Sequence, residues 1–512
     1  MHLPHNSASA YDDLPYGSNW RLILDPIALA AHPDRDSWVG FQRGSAPRSV
    51  CDLACGSGRQ VLQGALLHPD IEFLGVDGSS AHIGEATALK NALGIKNARF
   101  ECADLLEWSP AAARFDLITC SGTYPWVPDS VRERILEIVA RTLADDGFAV
   151  LHVLSLPACL GLSEAQRQLL DAVGEVHPMS ARLRAAKNFV PPLAPSDAPA
   201  APEPPMVGIV RTLLRKFVER NDAGAAHEFL GSPVRADYFR DFEAQVARHG
   251  LHVVGDANPT MLCDALIPHG PMRDLYDRTR SWSARQEILD LFAGVGGGRD
   301  VILAKRGRSA SASALTPRAA LYGRVLRTFD ETAHSHGALA WYQGRALAVT
   351  DSHSALWEKI RAASPESVHI ESVERADAEF LCIHGYIELA TRATRIAALH
   401  GAAPETVPLA RAEVMLAVRD LSSPLGHLLP SVPAVALALS LADGSLSSGA
   451  LADACHARWA ARDGARHDTC GDAWAQWWPT AAPSGESMSI PPSDDVNFEQ
   501  LIARLARLGY FL

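Results

Sequence analysis

The 512-residue sequence contains no run of about eighteen uncharged apolar residues, so no membrane-spanning helix is expected. Nor does it open on the basic-then-apolar layout of a secretory leader; its first residues, MHLPHNSASAYDDLPYG, are polar and broken by proline. Its nine cysteines are odd in number and show no paired spacing. With no leader, they read as reduced thiols in a cytoplasmic protein. Basic residues are in deficit: 47 Lys and Arg against 59 Asp and Glu leave a net charge of −12. That balance argues against general nucleic-acid binding, which wants a basic face, and favours encounter with cationic acceptors.

Other signatures are missing too. No Gly-x-Ser-x-Gly turn supports a hydrolase. Cys51 and Cys55 have no Cys or His pair nearby, so no metal site is expected. Gly294-Val295-Gly296-Gly297-Gly298 resembles a phosphate loop, yet no Lys-Ser or Lys-Thr follows, and a turn before a strand at Asp300–Ala304 is the better reading. Trp474, Trp477 and Trp478 sit at the helical spacing of core aromatics.

A chain of this length exceeds a single hydrophobic core. The clearest boundary is Val190 to Pro205, where seven of sixteen residues are proline, a composition that excludes helix and central strand. Further irregular stretches run from Gly307 to Thr316 and from Thr480 to Asp495. Before the first spacer, strand-length apolar runs (Ser49–Leu53, Glu72–Val76, Ala98–Cys102, Phe115–Cys120 and Phe148–Leu154) alternate with helical patterns such as Val131, Ile135, Ile138 and Val139. That alternation predicts a parallel sheet covered by helices. After the spacer, amphipathic helices are expected over Met206–Arg220, Arg235–His249 (with Gly250 as a left-handed cap), Asp377–Leu399 and Asn497–Leu508.

The first strand runs into Asp52-Leu53-Ala54-Cys55-Gly56-Ser57-Gly58. An acid followed by small residues makes a turn against which a ligand can press. Such turns also bind dinucleotides, but Gly56-Ser57-Gly58-Arg59-Gln60-Val61 lacks the third glycine of that fingerprint. Asp52 suits a cationic amino-acid ligand better than a pyrophosphate. The second strand ends at Asp77, nineteen residues after Gly58, with Gly78 beside it; an acid there accepts hydrogen bonds from ribose hydroxyls. Asp104 closes the third strand, placed for an adenine amino group, with Leu105 to pack on the ring. Each feature alone has a structural explanation: a tight turn, a helix cap, a strand end. In order at successive strand ends, they predict a site for S-adenosyl-L-methionine.

The pattern resembles the class I S-adenosylmethionine-dependent methyltransferases. Tyr11-Asp12-Asp13-Leu14-Pro15-Tyr16-Gly17-Ser18 and Gly122-Thr123-Tyr124-Pro125-Trp126-Val127-Pro128 are similar to the bacterial protein lysine methyltransferases that carry a methyltransferase regulatory domain. So are His227-Glu228-Phe229-Leu230, Tyr238-Phe239-Arg240-Asp241-Phe242, Pro408-Leu409-Ala410-Arg411 and Leu441-Ala442-Asp443-Gly444-Ser445. The resemblance implies a Rossmann-like α/β methyltransferase domain at 1–175, the linker at 190–205, a mixed α/β regulatory domain at 206–306 and a mainly helical, winged-helix-like domain at 317–512. It implies a lysine acceptor on another protein, with Tyr124, Trp126 and Tyr16 at the catalytic cleft and Tyr11 closing over the cofactor. Aromatic faces there would hold a cationic amine. The alternatives are core packing for Trp126, a loop hydrogen bond for Tyr124, and anchoring of the N-terminal segment alone for Tyr11 and Tyr16.

One stretch departs from the family. After the fifth strand relatives carry a Tyr/Asn-rich segment, where this chain has Val153-Leu154-Ser155-Leu156-Pro157-Ala158-Cys159. His152, beside it, is either a base or a structural strand histidine. A small-molecule methyltransferase and an S-adenosylmethionine-binding adaptor without catalysis therefore stay beside the lysine reading.

Overall fold

In this computed structural model the described residues are 14, 25–29, 47–110, 114–190, 204–220, 222–264, 267–292, 298–306, 321–325, 338–340, 346–363, 366–390, 393, 420–422, 428–430, 441–442, 445–460 and 502. Tyr11, Tyr16, most of the proline spacer, Gly294–Gly297, residues 307–316, Pro408–Arg411, the three C-terminal tryptophans, residues 480–495 and all but Ile502 of the expected last helix lie outside them.

The five expected strands form as β1 (Ser49–Leu53), β2 (Glu72–Asp77), β3 (Ala98–Cys102), β4 (Phe115–Cys120) and β5 (Leu143–Leu156). All are parallel. Their near-continuous apolar runs require cover on both faces, and helices supply it. A short α1 (Pro26–Leu29) is followed by α2 (Arg59–Leu67), α3 (Ser80–Ala92) and α4 (Asp129–Thr142). Ser79 caps α3 by accepting a hydrogen bond from the His82 amide at 3.3 Å. On one face Ile135, Leu136 and Val139 of α4 pack against Cys51, Leu53, Ile118 and Leu151. On the other, Val61, Leu62 and Ala65 of α2 and Leu89 of α3 cover Val50, Phe73, Leu117 and Val150.

The sheet does not stop at the spacer. Its strand order is β3-β2-β1-β4-β5-β8-β7, where β7 is Leu251–Asp256 and β8 is Gly298–Lys305. β8 runs antiparallel between β5 and β7. β6 (Asp237–Tyr238) pairs with Ser155 and Leu156 at the tail of β5. Residues expected to form a separate unit at 206–306 thus supply the far end of the same sheet. Two hydrogen-bonded edges, β5 to β8 and β5 to β6, join them to it, and such pairing over long sequence separation leaves no local mark on the sequence.

Between β5 and β7 the chain inserts α5 (Leu160–Val173), α6 (Met179–Phe189), α7 (Pro205–Glu219) and α8 (Asp222–Phe229). These four helices share one core in which Leu162, Leu169, Leu183, Leu213, Phe217 and Phe229 are buried. The proline spacer therefore links helices of one unit. The helix expected from Arg235 begins later, as α9 (Phe239–Arg248), because Asp237 and Tyr238 extend the sheet. Gly250 does cap it, at φ 73°, and Leu251 behind it is fully buried. Next come α10 (Pro271–Arg278) and α11 (Trp282–Asp290).

Farther on, β9 (Leu321–Val325) sits between β10 (Val368–Ile370) and β11 (Ile387–Ala390) in an antiparallel sheet. It is covered by α12 (Asp351–Ala363) and α13 (Arg375–Ile383), with Trp357, Ile360, Leu381 and Tyr386 as its core. The helix expected from Asp377 to Leu399 ends at Ile383. Gly385, at φ 76°, turns the chain, and the buried positions of Ile387–Ala390 follow a strand. Among the described residues, then, 317–512 mixes helix with a sheet that the expectation of a mainly helical domain omitted; α14 (Ser448–Ala460) follows. Arg324 on β9 binds Glu388 at 2.6 Å and Asp25 at 2.9 Å, and Asp25 bonds His68 at 2.9 Å.

A chain ending at Val190 would leave the largely apolar β5 unpaired along the edge that β8 covers. Such a fragment is expected to aggregate or to melt without a cooperative transition, whereas a chain ending at Arg306 should melt cooperatively. Calorimetry of both fragments is the check.

Candidate functional site

The strand order reverses between β1 and β4, and in open α/β sheets the crevice outside the carboxyl ends of such a pair is where ligands bind. Asp52 and Thr119 face each other across that reversal. The Thr119 hydroxyl donates to Asp52 Oδ1 at 2.6 Å, and Gln60 Nε2 donates to Thr119 Oγ1 at 3.3 Å. Asp52 is only 5% exposed. Burial pushes its carboxyl up to about 7, against the Thr119 hydrogen bond and with a further push from Asp77. A carboxyl so placed gains from a cation more than a surface acid does.

The turn after β1 alternates left-handed residues: Ala54 at φ 56°, Gly56 at 54° and Gly58 at 69°. The Cys55 amide donates to the Val76 carbonyl at 3.0 Å, which ties the turn to β2. A Cβ on Gly58 would lie 2.4 Å from Phe100 Cε1, and one on Gly75 would lie 2.7 Å from Phe100 Cδ1. Both glycines thus admit the Phe100 ring beneath the turn. Cys55 is buried, its sulfur beside Gly75.

Asp77 Oδ2 accepts from the Gly56 amide at 2.9 Å and Oδ1 from the Ser79 amide at 2.8 Å. Asp77 therefore holds the turn as well as bordering the crevice. Beside it Gly78 is open, with nothing nearer than the Ala103 carbonyl oxygen at 3.9 Å from where a Cβ would stand. Asp104 is exposed at the end of β3 and accepts from the Leu106 amide at 2.9 Å. Leu105 is buried among Trp108 and the α4 side of the core, so Ala103 and Asp104 are the residues that border the crevice there.

Asp52, Ala54, Cys55, Gly56, Gly58, Asp77, Gly78 and Asp104 thus lie at or just beyond the carboxyl ends of β1, β2 and β3. Tyr124 stands apart. It is 1% exposed, edge-on to Phe242 with ring centroids 6.0 Å apart, and the Arg132 guanidinium lies 4.5 Å over its ring. Burial raises its hydroxyl well above the usual tyrosine range, so it is no base at neutral pH. Trp126 is half-buried against the helical insertion. Trp126 follows its packing alternative; Tyr124 is packed as well, but its hydroxyl is buried without a hydrogen-bonding partner among the described residues and bonds no loop carbonyl.

Three residues escaped the sequence reading: Gln60, Thr119 and Ser121. Alternation along β4 carried the signal, since Thr119 and Ser121 interrupt an apolar strand on the face that Asp52 shares. Among the described residues, Gln60 Oε1 and Ser121 Oγ are buried without a hydrogen-bonding partner. No group of three or more His, Cys, Asp or Glu among the described residues is arranged to hold a metal ion.

A parallel sheet reversing at β1 and β4, closed by an antiparallel strand and edged by acids at three strand ends, defines a Rossmann-like methyltransferase domain. Residues 50–147 match the family described as Methyltransferase domain, and the chain carries a domain of the S-adenosylmethionine-dependent class. Over nearly its full length the fold is similar to that of PKMT2 from Rickettsia typhi, solved in complex with AdoHcy. The TM-score is 0.68 at 16% identity, covering 97% of this chain and 99% of that one. In sequence the chain is 26% identical over 252 residues to an uncharacterized protein of Rickettsia prowazekii, covering 48% of this chain and 44% of that protein. It is 32% identical over 138 residues to the trans-aconitate 2-methyltransferase of Methylobacterium radiotolerans, covering 27% of this chain and 48% of that enzyme. The matches span about half the length of these curated relatives.

The crevice fits the cofactor of this class. Asp52 and the unpartnered Gln60 and Ser121 oxygens offer acceptors to a cationic end at β1 and β4. Asp77 keeps lone pairs beyond its two backbone bonds for hydroxyls at β2.

Two outcomes test this geometry. Gly58→Ala forces a side chain into the left-handed region and into Phe100, and should cost about 1–3 kcal/mol in urea unfolding; Phe100→Leu in the same chain should restore part of it. Asp52 has a folded-state value above its unfolded one, so its favourable contribution is full below about pH 4 and lost as the pH rises through about 7. Asp52→Asn should therefore stabilise the ligand-free protein at about pH 8, and the gain should vanish at about pH 4.

Proposed function

We propose that this chain is an S-adenosylmethionine-dependent methyltransferase that methylates lysine side chains of a protein acceptor. The observation that carries the cofactor is the joint placement of Asp52, Asp77 and Asp104 at three successive strand ends around the reversal of the sheet. When bound, the cofactor supplies a methyl group on a sulfonium. Asp52 would hold its cationic amino-acid end, Asp77 its ribose hydroxyls and Asp104 its adenine amino group; the left-handed turn at Ala54, Gly56 and Gly58 gives it room. Because transfer is an in-line displacement, most of what the protein contributes is orientation and exclusion of water.

The lysine reading is supported by the resemblance of the sequence to the protein lysine methyltransferases and by the likeness of fold to PKMT2 along nearly the whole chain, insertion and C-terminal part included. A net charge of −12 favours cationic acceptors. The trans-aconitate methyltransferases favour a second reading, a small acidic acceptor, which Arg132 and Arg235 near Tyr124 would suit. Both arginines are engaged, however, Arg132 with Asp237 and Arg235 with Asp129, which weakens that reading. We place the chain in the cytoplasm on its free thiols: the eight described cysteines are all unpaired. No helix among the described residues is long and apolar enough to cross a membrane.

The test is transfer of labelled methyl into dialysed lysate of the source organism, with cofactor binding followed by calorimetry. Label in a protein band, located on lysine by mass spectrometry, is the expected outcome. Label confined to small molecules would move the assignment to the second reading, and binding without transfer would leave a cofactor-binding adaptor. Asp77→Ala should weaken cofactor binding by at least about 100-fold, since two charge-assisted hydrogen bonds are lost. Asp77→Asn, which keeps an acceptor oxygen, should weaken it less.

A further inference from the structure

Along β5, every residue from 147 to 155 is buried except His152, whose side chain is 28% exposed. It lies on the sheet face that carries Asp52 and Thr119, two residues beyond Val150, which pairs with Thr119. Ser121 is likewise two residues beyond Thr119, one past the Cys120–Leu151 pair, so Ser121 and His152 are lateral neighbours. Across the other edge His152 pairs with Asp300 of β8. Hydroxyl, imidazole and carboxylate thus form a row over three strands, level with the cofactor turn. Two strand spacings, about 10 Å, separate His152 from that turn.

The imidazole is held rather than merely present. His152 Nδ1 is 3.0 Å from Asp300 Oδ1. A proton on Nδ1 donated to the carboxylate leaves the Nε2 lone pair free. Gly298, the first residue of β8, makes the room: a Cβ there would stand 3.0 Å from His152 Cε1 and 3.4 Å from Nε2. Gly298, the last of the glycines noted in the sequence, thus clears this ring. At the other end of the row, Ser121 Oγ is buried and, among the described residues, without a hydrogen-bonding partner.

Resting on the methyltransferase reading above, we propose that His152 is the general base that deprotonates the acceptor amine, with Asp300 as its positioning residue and Ser121 contacting the same nitrogen. A lysine ammonium entering over the ends of β4 and β5 gives one proton to His152 Nε2. The freed lone pair forms the nitrogen–carbon bond as the carbon–sulfur bond of the sulfonium donor breaks. The sulfur leaves as a neutral thioether, and the imidazolium passes its proton to water. The charged groups facing His152 are Asp300 on β8 and Asp256 at the end of β7. Burial lowers its basicity, but Asp300 and Asp256 outweigh that and leave it above the ordinary histidine value. Its protonated form therefore persists to higher pH than usual, and turnover should rise with pH as that proton is lost.

The experiment uses the full chain with lysate protein as acceptor. Methyl transfer is measured from about pH 5.5 to 9, beside calorimetry of S-adenosylmethionine and NMR titration of the His152 ring. The wild type should show one acid limb matching the ring titration. His152→Gln should bind the cofactor unchanged, turn over at least about 100-fold more slowly and lose the limb. Asp300→Asn should lower the His152 titration point and move the limb with it; should His152→Gln misfold, this variant carries the test. Added imidazole should restore part of the activity of His152→Ala. Unchanged turnover and pH profile in His152→Gln, or a limb that ignores the ring titration in Asp300→Asn, would overturn the proposal while leaving the methyltransferase reading intact. A wild type that binds the cofactor and transfers nothing would overturn both.

Discussion

Arg299 has no exposed side-chain surface, and its charge is met from α11 and β7 at once. Its Nε donates to Asp290 Oδ1 at 2.7 Å, and its two terminal nitrogens reach Gln286 Oε1 at 3.1 Å, the Gln286 carbonyl at 3.2 Å and Asp256 Oδ2 at 3.4 Å. Ser155 Oγ, from the tail of β5, donates to the other Asp290 oxygen at 2.7 Å. The network locks β8 to β5, β7 and α11. A buried guanidinium with one partner removed is far costlier than the pair is stabilising, so the network enforces geometry more than it adds stability. Gly298 and Asp300 flank Arg299 in sequence, and the alternation of β8 turns Asp300 to the face opposite the network. The cluster on one face thus fixes the register on which the His152 row on the other depends.

The fold was legible where its determinants are local. Asp52 to Gly58, Asp77 and Asp104 sit at strand ends that apolar runs and small residues mark within a few positions, and the first five strands fell where alternation placed them. What was not legible depends on partners far away in sequence. Leu251–Asp256 and Gly298–Lys305 are ordinary apolar runs; only pairing with β5 makes them the end of the same sheet. For the same reason the proline spacer looked like a domain boundary, although Leu183 before it and Phe217 after it lie in one core. Tyr124 and Trp126 were expected at the cleft, but Tyr124 is buried against Phe242 and Trp126 packs on the helical insertion. Their burial follows from α9 and the helical insertion, which the aromatic pattern alone does not reveal.

The tail of β5 and the residue beyond it, where the expected polar and aromatic residues give way to Leu154, Leu156 and Pro157, have their own account in the packing. Leu154 and Leu156 enter the core of the helical insertion, Ser155 bonds Asp290, and β6 pairs with the strand's last two residues. These substitutions serve attachment of the insertion.

The antiparallel union of β5 with β8 also sets a timetable. The His152–Asp300 contact joins residues 148 positions apart. At synthesis rates of about 5–20 residues per second, β5 leaves the ribosome roughly 7–30 seconds before its partner does. Through that interval a strand of almost wholly apolar residues waits with one edge open. The four inserted helices are made in the same interval and share a core of their own, so they are ready to shield the waiting edge. An insertion at this point of the chain is therefore synthesised wholly within the interval in which β5 lacks its last partner.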